Sequence, residues 1–515
     1  MKAKNSFSKV LLMVIILSLL LLVVFSIFFV NINHYYYGIN ADIASEGVLA
    51  KLIWDTKEWI PSSWYASTEA RIFTTPNLAS LIYGIVDDMA VAMGIACSIF
   101  TLGILGSGWL FAKSMSFDRI QTVIFLILCM ILPNNLMILE ILYLHASYYA
   151  PHVIILFFTL SVYVSAIKGK WNYILSVFAV VLQIMYGTQG VRGILILSGP
   201  LFVIEIVHLI FCFYKKEGKS YDVKLLIWSF LLLIGGFIGG LFPYSVGQSF
   251  SRNIRKAPQK FLDVVFPDIM KSLGFQDSNK FEKVLLSLIV LFSVIMISKI
   301  IYKMFWKKKI ETEDWATLVI FCSPIATALI LTFTTIESSG RYYFVFIFAM
   351  AISIAKIWSG KKIWFKTVLI SVIVIISICN YNKIYITMMR SGDLKQDDRY
   401  RVVEYLQEKE YFIAYSDFEN ANTMMLMSGG DITVGAIDDF SKMNGSKWLT
   451  STLWYGPTIE KDTKTAYIVT ETRRDSFLLF CEENNAKVME EIKIGKYYIY
   501  GSNFNYTYID SVKAN

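Results

Sequence analysis

The apolar residues of this chain gather in long unbroken runs instead of alternating or recurring once per helical turn. The first run, "KVLLMVIILSLLLLVVFSIFFV", covers about 20 residues, enough for one helix to cross a bilayer. Runs of similar length recur down the sequence and predict about eleven membrane helices. They fall at 10–30, 89–112, 119–139, 151–168, 171–187, 193–214, 224–243, 283–303, 315–334, 341–357 and 365–385. The third is interrupted by "LPNN", which predicts a break or a short interfacial piece. Beyond 385 the pattern changes. "RYRVVEYLQEKEYFIAYSDFENANTMMLMSGGDITVGAI" reads as helix, strand, turn, helix, strand, and "KTAYIVT" and "KYYIYGS" alternate as strands do. Residues 1–385 are therefore expected to form a membrane domain and 386–515 a small α/β domain. That tail has no Gly-rich phosphate loop and no Ser/His/Asp arrangement, so no catalytic role is assigned to it.

Composition agrees with the pattern. At 56% hydrophobic and 17% charged, with mean hydropathy +0.53, most of the chain has lipid as its solvent. The net charge of +8 is modest, and its lysines sit in short loops, which reads as orientation signal and not as a nucleic-acid surface. The six cysteines show no CxxC or Cys/His spacing, so small buried apolar residues are the better reading. The N-terminus resembles a signal peptide, but its apolar run is spanning length and no small-residue cleavage site follows; a retained first helix is expected.

Alternate loops carry Lys2/Lys4/Lys9, Lys113/Arg119, Lys168/Lys170, Lys215/Lys216/Lys219, Lys307–Lys309 and Lys361/Lys362. The positive-inside rule puts that set in the cytoplasm, the N-terminus with it, and the tail outside when the number of spans is odd.

The opposite face then holds most of the polar chemistry. "NADIASEGVLAKLIW" starts a helix, capped by Asn40 or Asp42, with Asp42 and Glu46 one turn apart on one side. Trp54, Trp59, Trp64 and Tyr65 suit a headgroup-level belt. "STEAR" adds Glu69 and Arg71, which equally suit a capped helix with a solvated charge pair. Asp87 and Asp88 read best as the acidic start of the next helix. "LHASYYAPH" puts His145, Tyr148, Tyr149 and His152 in one short loop, in a chain with four His in all. That loop suits phosphate or pyrophosphate oxygens; a metal would need carboxylates from elsewhere, and a divalent cation is left open. Arg192 in "GTQGVRG" and Arg341 in "ESSGRYY" sit at the mouths of spans, where an arginine snorkels to headgroups or has a partner or ligand. A loop at about 244–282 carries Arg252, Arg255, Lys256, Lys260 and Lys271 on the side the charge rule disfavours. An anionic substrate headgroup would explain them, as would the tolerance of long loops for any charge.

"NADIASEGVLAK", "SSWYASTEARIF", "YYAPH", "GVRG" and "GRYY", in that order and on one side, resemble the membrane-embedded glycosyltransferases of the GT-C fold. The closer resemblance is to the bacterial branch related to family 39 and the aminoarabinose transferases, over roughly residues 1–385. It implies a plasma-membrane enzyme that moves a sugar from a polyprenyl-phosphate donor to a glycan, lipid or protein acceptor outside, inverting the anomeric centre. It implies Asp42 as the catalytic acid residue and places Glu69 and Arg71 in the cavity. The family's second acid is contiguous or one apart, whereas Glu46 is four residues on, so Glu46 and Glu69 both stay in play. An O-antigen-type polymerase or ligase, kept alive by the 244–282 loop, and a polysaccharide or lipid transporter are the alternatives.

Overall fold

The computed structural model describes residues 2–36, 38–67, 72–215, 221–241, 251–358, 363–386, 388 and 397–509. In chain order the helices are α1 (Lys2–Asn33), α2 (Ala41–Thr56), α3 (Thr75–Val86), α4 (Met89–Ser114), α5 (Arg119–Ile131), α6 (Leu136–Leu142), α7 (Ala150–Ile167) and α8 (Tyr173–Gly187). There follow α9 (Ile194–Tyr214), α10 (Val223–Gly240), α11 (Ala257–Lys260), α12 (Phe266–Ser272), α13 (Lys280–Phe305), α14 (Thr312–Phe333), α15 (Val345–Trp358) and α16 (Ile363–Asn380). The tail supplies α17 (Asp398–Glu408), α18 (Phe418–Met427) and α19 (Glu471–Glu483).

Every predicted run coincides with helix, the third with a bent pair of helices. Among the described residues, eight of these helices are long and apolar enough to cross a membrane. The "LPNN" interruption is a bend of 116° between α5 and α6, so this pair is a ninth crossing or a re-entrant loop. Pro133 cannot continue α5, and Asn135 caps α6 by accepting from Ile138 N at 2.8 Å. The described apolar parts of α8 and α16 are shorter than a full crossing, so the expected eleven is not reached on length. The protein is a multi-pass membrane protein.

The chain packs as two compact units, 1–28 with 98–387 and 29–97 with 388–515. In the first, α8 and α10 cross without side chains between them. A Cβ on Gly239 would lie 2.1 Å from Ile184 O, and one on Gly187 2.3 Å from Gly236 O. The lysine-rich ends of the helices are tied by ion pairs. Lys168 Nζ pairs with Glu313 at 2.5 Å and donates to Ser114 O, joining α7, α14 and α4. Lys303 pairs with Glu311 at 2.7 Å. Lys356 of α15 donates to the buried Asp314 of α14. Inside α9, buried Glu205 accepts from Tyr163 and from Tyr221 (2.7 Å), with His208 Nδ1 at 3.2 Å, so this membrane carboxylate is partnered.

The second unit joins the first loop to the tail. Its strands are β1 (Trp64–Tyr65), β2 (Ile413–Ser416), β3 (Thr433–Asp439), β4 (Asn444–Gly445), β5 (Thr450–Ser451), β6 (Thr465–Thr470), β7 (Glu490–Ile494) and β8 (Tyr497–Ser502). Six of them form a mixed sheet in the order β4-β3-β2-β6-β8-β7. Parallel β2, β3 and β6 lie at its centre, and their middle residues are mostly apolar and buried, as strands covered on both faces require. Helix α2 packs on α3 and on α18; a Cβ on Gly47 would sit 2.7 Å from Leu426 Cδ1. Strand β1 pairs antiparallel with β5, Trp64 opposite Ser451, and the Trp64 ring meets Trp454 at 6.0 Å. Trp64 is therefore buried in the unit, not part of a headgroup belt.

Candidate functional site

At the end of the first unit away from the lysine-rich loops, three separate stretches bring aromatic and basic side chains together. "LHASYYAPH" folds tightly between α6 and α7. His145 and Ser147 both take left-handed backbone (φ 53° and 46°), and Tyr149 N donates to Ile141 O at 2.8 Å. Tyr149 precedes α7, and Pro151 and His152 lie in its first turn. The buried His152 ring meets Tyr186, at the end of α8, at 5.3 Å. The "GTQGVRG" turn, with Gly190 at φ 79°, then brings Arg192 back over Tyr149, its guanidinium carbon 4.1 Å from the ring centroid. The third stretch, Gly340–Tyr343, is a 3-10 turn that opens the span of α15. Gly340 is wedged so that a Cβ would meet Met137 Cε at 2.9 Å and Asp268 O at 3.2 Å. Tyr343 OH is 3.0 Å from Ser338 Oγ.

That wedge sets Arg341 and Tyr342. The Tyr342 ring has two cations near it, Arg341 at 5.5 Å and Arg192 at 5.9 Å. Tyr149 meets Phe344 at 5.4 Å and closes the group. Stacking engages a guanidinium by its face and leaves its N–H edge for the oxygens of a carboxylate or phosphate. Arg341 Nε is buried with no hydrogen-bond partner among the described residues. His145, fully buried behind the loop, has its pKa pushed down to about 4 by loss of hydration. It stays neutral near pH 7. Tyr149, His152, Arg192 and Arg341 thus share one cluster. Tyr342 was missed although "GRYY" was singled out, because stacking partners carry no charge signature. Tyr186 and Phe344 were missed for the same reason.

In the second unit the two acids of "NADIASEG" part company. Asn40 is the cap, its Oδ1 accepting from Ile43 N at 3.0 Å. Asp42 is exposed in the first turn of α2, while Glu46, one turn on, is 4% exposed. Glu69 and Arg71 lie outside the described residues. Asp88 Oδ1 accepts from Val91 N at 2.9 Å at the start of α4, and Asp87 ends α3 in left-handed backbone, so both act as helix-end residues.

The basic loop divides as well. Lys260 Nζ donates to Thr334 O (2.8 Å) and Ile336 O (2.6 Å) beyond α14, and partial burial lowers its pKa. Arg252, Arg255 and Lys256 are exposed. Asp268, on α12, has Oδ2 buried with no partner among the described residues and was not anticipated. Among the described residues no three His, Cys, Asp or Glu side chains group so as to hold a metal ion.

No family model matches this chain, and no curated protein is similar to it in sequence. Among solved structures, that of ArnT from Cupriavidus metallidurans bound to undecaprenyl phosphate is similar over 94% of this chain and 97% of that one. The TM-score is 0.58 and the identity 9%. At that identity the likeness is one of fold, and the fold is GT-C.

Proposed function

We propose that the protein transfers a sugar, with inversion, from a polyprenyl-phosphate donor to a cell-envelope acceptor such as a polysaccharide, a lipid or a protein. The observation that carries this reading is the Tyr149–Arg192–Tyr342–Arg341 cluster, in a chain whose fold is shared with a protein crystallised bound to undecaprenyl phosphate. In such a transfer the acceptor oxygen forms a bond to C1 as the bond from C1 to the lipid phosphate breaks. The leaving phosphate takes up the electron pair. Cations fixed before the reaction stabilise that charge without reorganising. Two guanidinium groups fixed against tyrosine rings meet this need, and His152 lies in the same cluster. The sugar–phosphate bond is already activated, so no nucleotide-binding fold is required.

The acceptor hydroxyl must lose a proton as it attacks, and Asp42, exposed on a rigid helix, is assigned as the base. Burial of Glu46 leaves Glu69 as the better second acid, with Arg71 beside it in sequence. Glu46 then supports α2 from within. In this reading the membrane is the bacterial plasma membrane, with the N-terminus cytoplasmic. Residues 386–515 form an extracytoplasmic domain. The test is Asp42→Asn in the full chain. Transfer should fall by about 10²- to 10⁴-fold, the usual contribution of a general base, with polyprenyl-phosphate binding retained. Transfer at the native rate would remove Asp42 from the mechanism.

A further inference from the structure

The segment from Ser251 to Phe266 sits at a membrane boundary. Its first residues add a short antiparallel pairing to the end of α14: Asn253 N donates to Phe333 O at 2.9 Å and Thr335 N to Ser251 O at 3.0 Å, around an Arg252–Thr334 bridge. Because α14 is a crossing helix, its last residue marks the edge of the hydrocarbon. The segment is therefore held at headgroup depth. One side of it faces the protein, with Ala257 buried and Val265 packed on Leu331 and Tyr343.

The other side is open and apolar. Ile254 and Leu262 are each 65% exposed, Phe266 47% and Phe261 38%. Those values match outward residues of the crossing helix α13, such as Val284 at 58% and Leu291 at 51%, which face lipid. Water would be a poor solvent for four such side chains within one short segment. Beside them stand the exposed cations Arg252, Arg255 and Lys256. Between 251 and 265 one carboxylate, Asp263, opposes four basic residues. An apolar face with a cationic flank, fixed at headgroup depth, is the pattern of an interfacial lipid-binding element.

We propose that residues 251–266 dock on the leaflet itself, with Leu262, Phe261, Phe266 and Ile254 in the acyl boundary and Arg252, Arg255 and Lys256 on the phosphates of anionic phospholipids. The three cations then serve as an anchor and not as ligands of the sugar donor. The inference does not depend on the transfer chemistry: it requires only the membrane fold and the segment's place at the end of α14.

Hydrogen–deuterium exchange of the full chain in nanodiscs tests it. Exchange over 251–266 is compared in phosphatidylcholine alone, in phosphatidylcholine with phosphatidylglycerol, and in phosphatidylcholine with undecaprenyl phosphate. The expected result is exchange slowed by about threefold or more by phosphatidylglycerol, since each basic residue near an anionic surface contributes about 1 kcal/mol. R252Q/R255Q/K256Q should remove that difference while leaving exchange in α13 unchanged. Exchange that ignores phosphatidylglycerol in the native chain overturns the proposal. Slowing by undecaprenyl phosphate alone also overturns it and returns the cations to the donor site. A triple variant that still responds to phosphatidylglycerol overturns the role of these three residues.

Discussion

Arg192 offers the sharpest test of the phosphate site, because its surroundings set the size of the expected effect. Its guanidinium lies 4.1 Å from the Tyr149 ring centroid and 5.9 Å from that of Tyr342. A half-buried stack of this kind contributes about 1 kcal/mol to holding the arginine in place. A charge-assisted contact from guanidinium to phosphate contributes about 1.5–3 kcal/mol. Arg192→Gln loses both the charge and the fork, and should weaken polyprenyl-phosphate binding by roughly 12- to 140-fold, at 1.4 kcal/mol per decade. Tyr149→Leu keeps the arginine but frees it, and should cost about fivefold. In the Arg192→Gln background the tyrosine has no cation left to hold, so adding Tyr149→Leu should cost almost nothing more. Native mass spectrometry of undecaprenyl-phosphate adducts, titrated in nanodiscs, measures all four corners of the cycle. Binding of Arg192→Gln within twofold of the native chain would refute the site. Fully additive losses would refute the claim that Tyr149 acts through Arg192.

Two further expectations concern stability. His145 ionises at about 4 when folded, against about 6.5 when unfolded, so below pH 6.5 the unfolded chain takes up the proton first. Stability should be full above pH 6.5, fall by about 3 kcal/mol as the pH drops toward 4, and level off below that; His145→Asn should flatten thermal unfolding over this window, and an unchanged slope would discount the residue. Lys356→Met would leave Asp314 charged, buried and unpaired, at a cost of about 3–5 kcal/mol, while D314L/K356M should recover most of it; equal melting temperatures for the single and double variants would show that the pair is not coupled.

Features that depend on a long stretch of one character were legible in the sequence. Each apolar run is a helix because a buried or lipid-facing backbone must bond to itself, and only length and apolarity are needed to predict that. The break at "LPNN" was legible because proline lacks the donor that α5 would need. What length could not tell is whether α8 crosses, since Tyr173–Gly187 has 15 residues and its neighbours decide its tilt. The cluster around Arg192 was half legible. The arginine and histidine signalled themselves by scarcity and place, whereas Tyr342 looked like any aromatic at a span mouth. The association of α2 with α18 was not legible at all, for Gly47 and Leu426 are joined by shape alone.

The two acids of "NADIASEG" show how that hidden packing decides chemistry. They share a helical face, and sequence gave no ground for treating them differently beyond a family resemblance. Along the helix, however, they stand about 6 Å apart, at 1.5 Å per residue. At the level of Gly47 the helix is pressed against Leu426 so closely that a methyl group would clash. Glu46 lies beside that level and is covered; Asp42 lies a turn before it and is not. The next piece of the same loop is held as firmly, by β1 on β5 and by Thr452 N donating to Ser63 O at 2.9 Å. A base works only when its carboxylate is both reachable and fixed to within a fraction of an ångström. The cap at Asn40 and the packing at Gly47 fix the helix, and Asp42, whose side chain alone is exposed in that first turn, is reachable. Glu46 is fixed but not reachable, and this separates the pair on physical grounds independent of any resemblance.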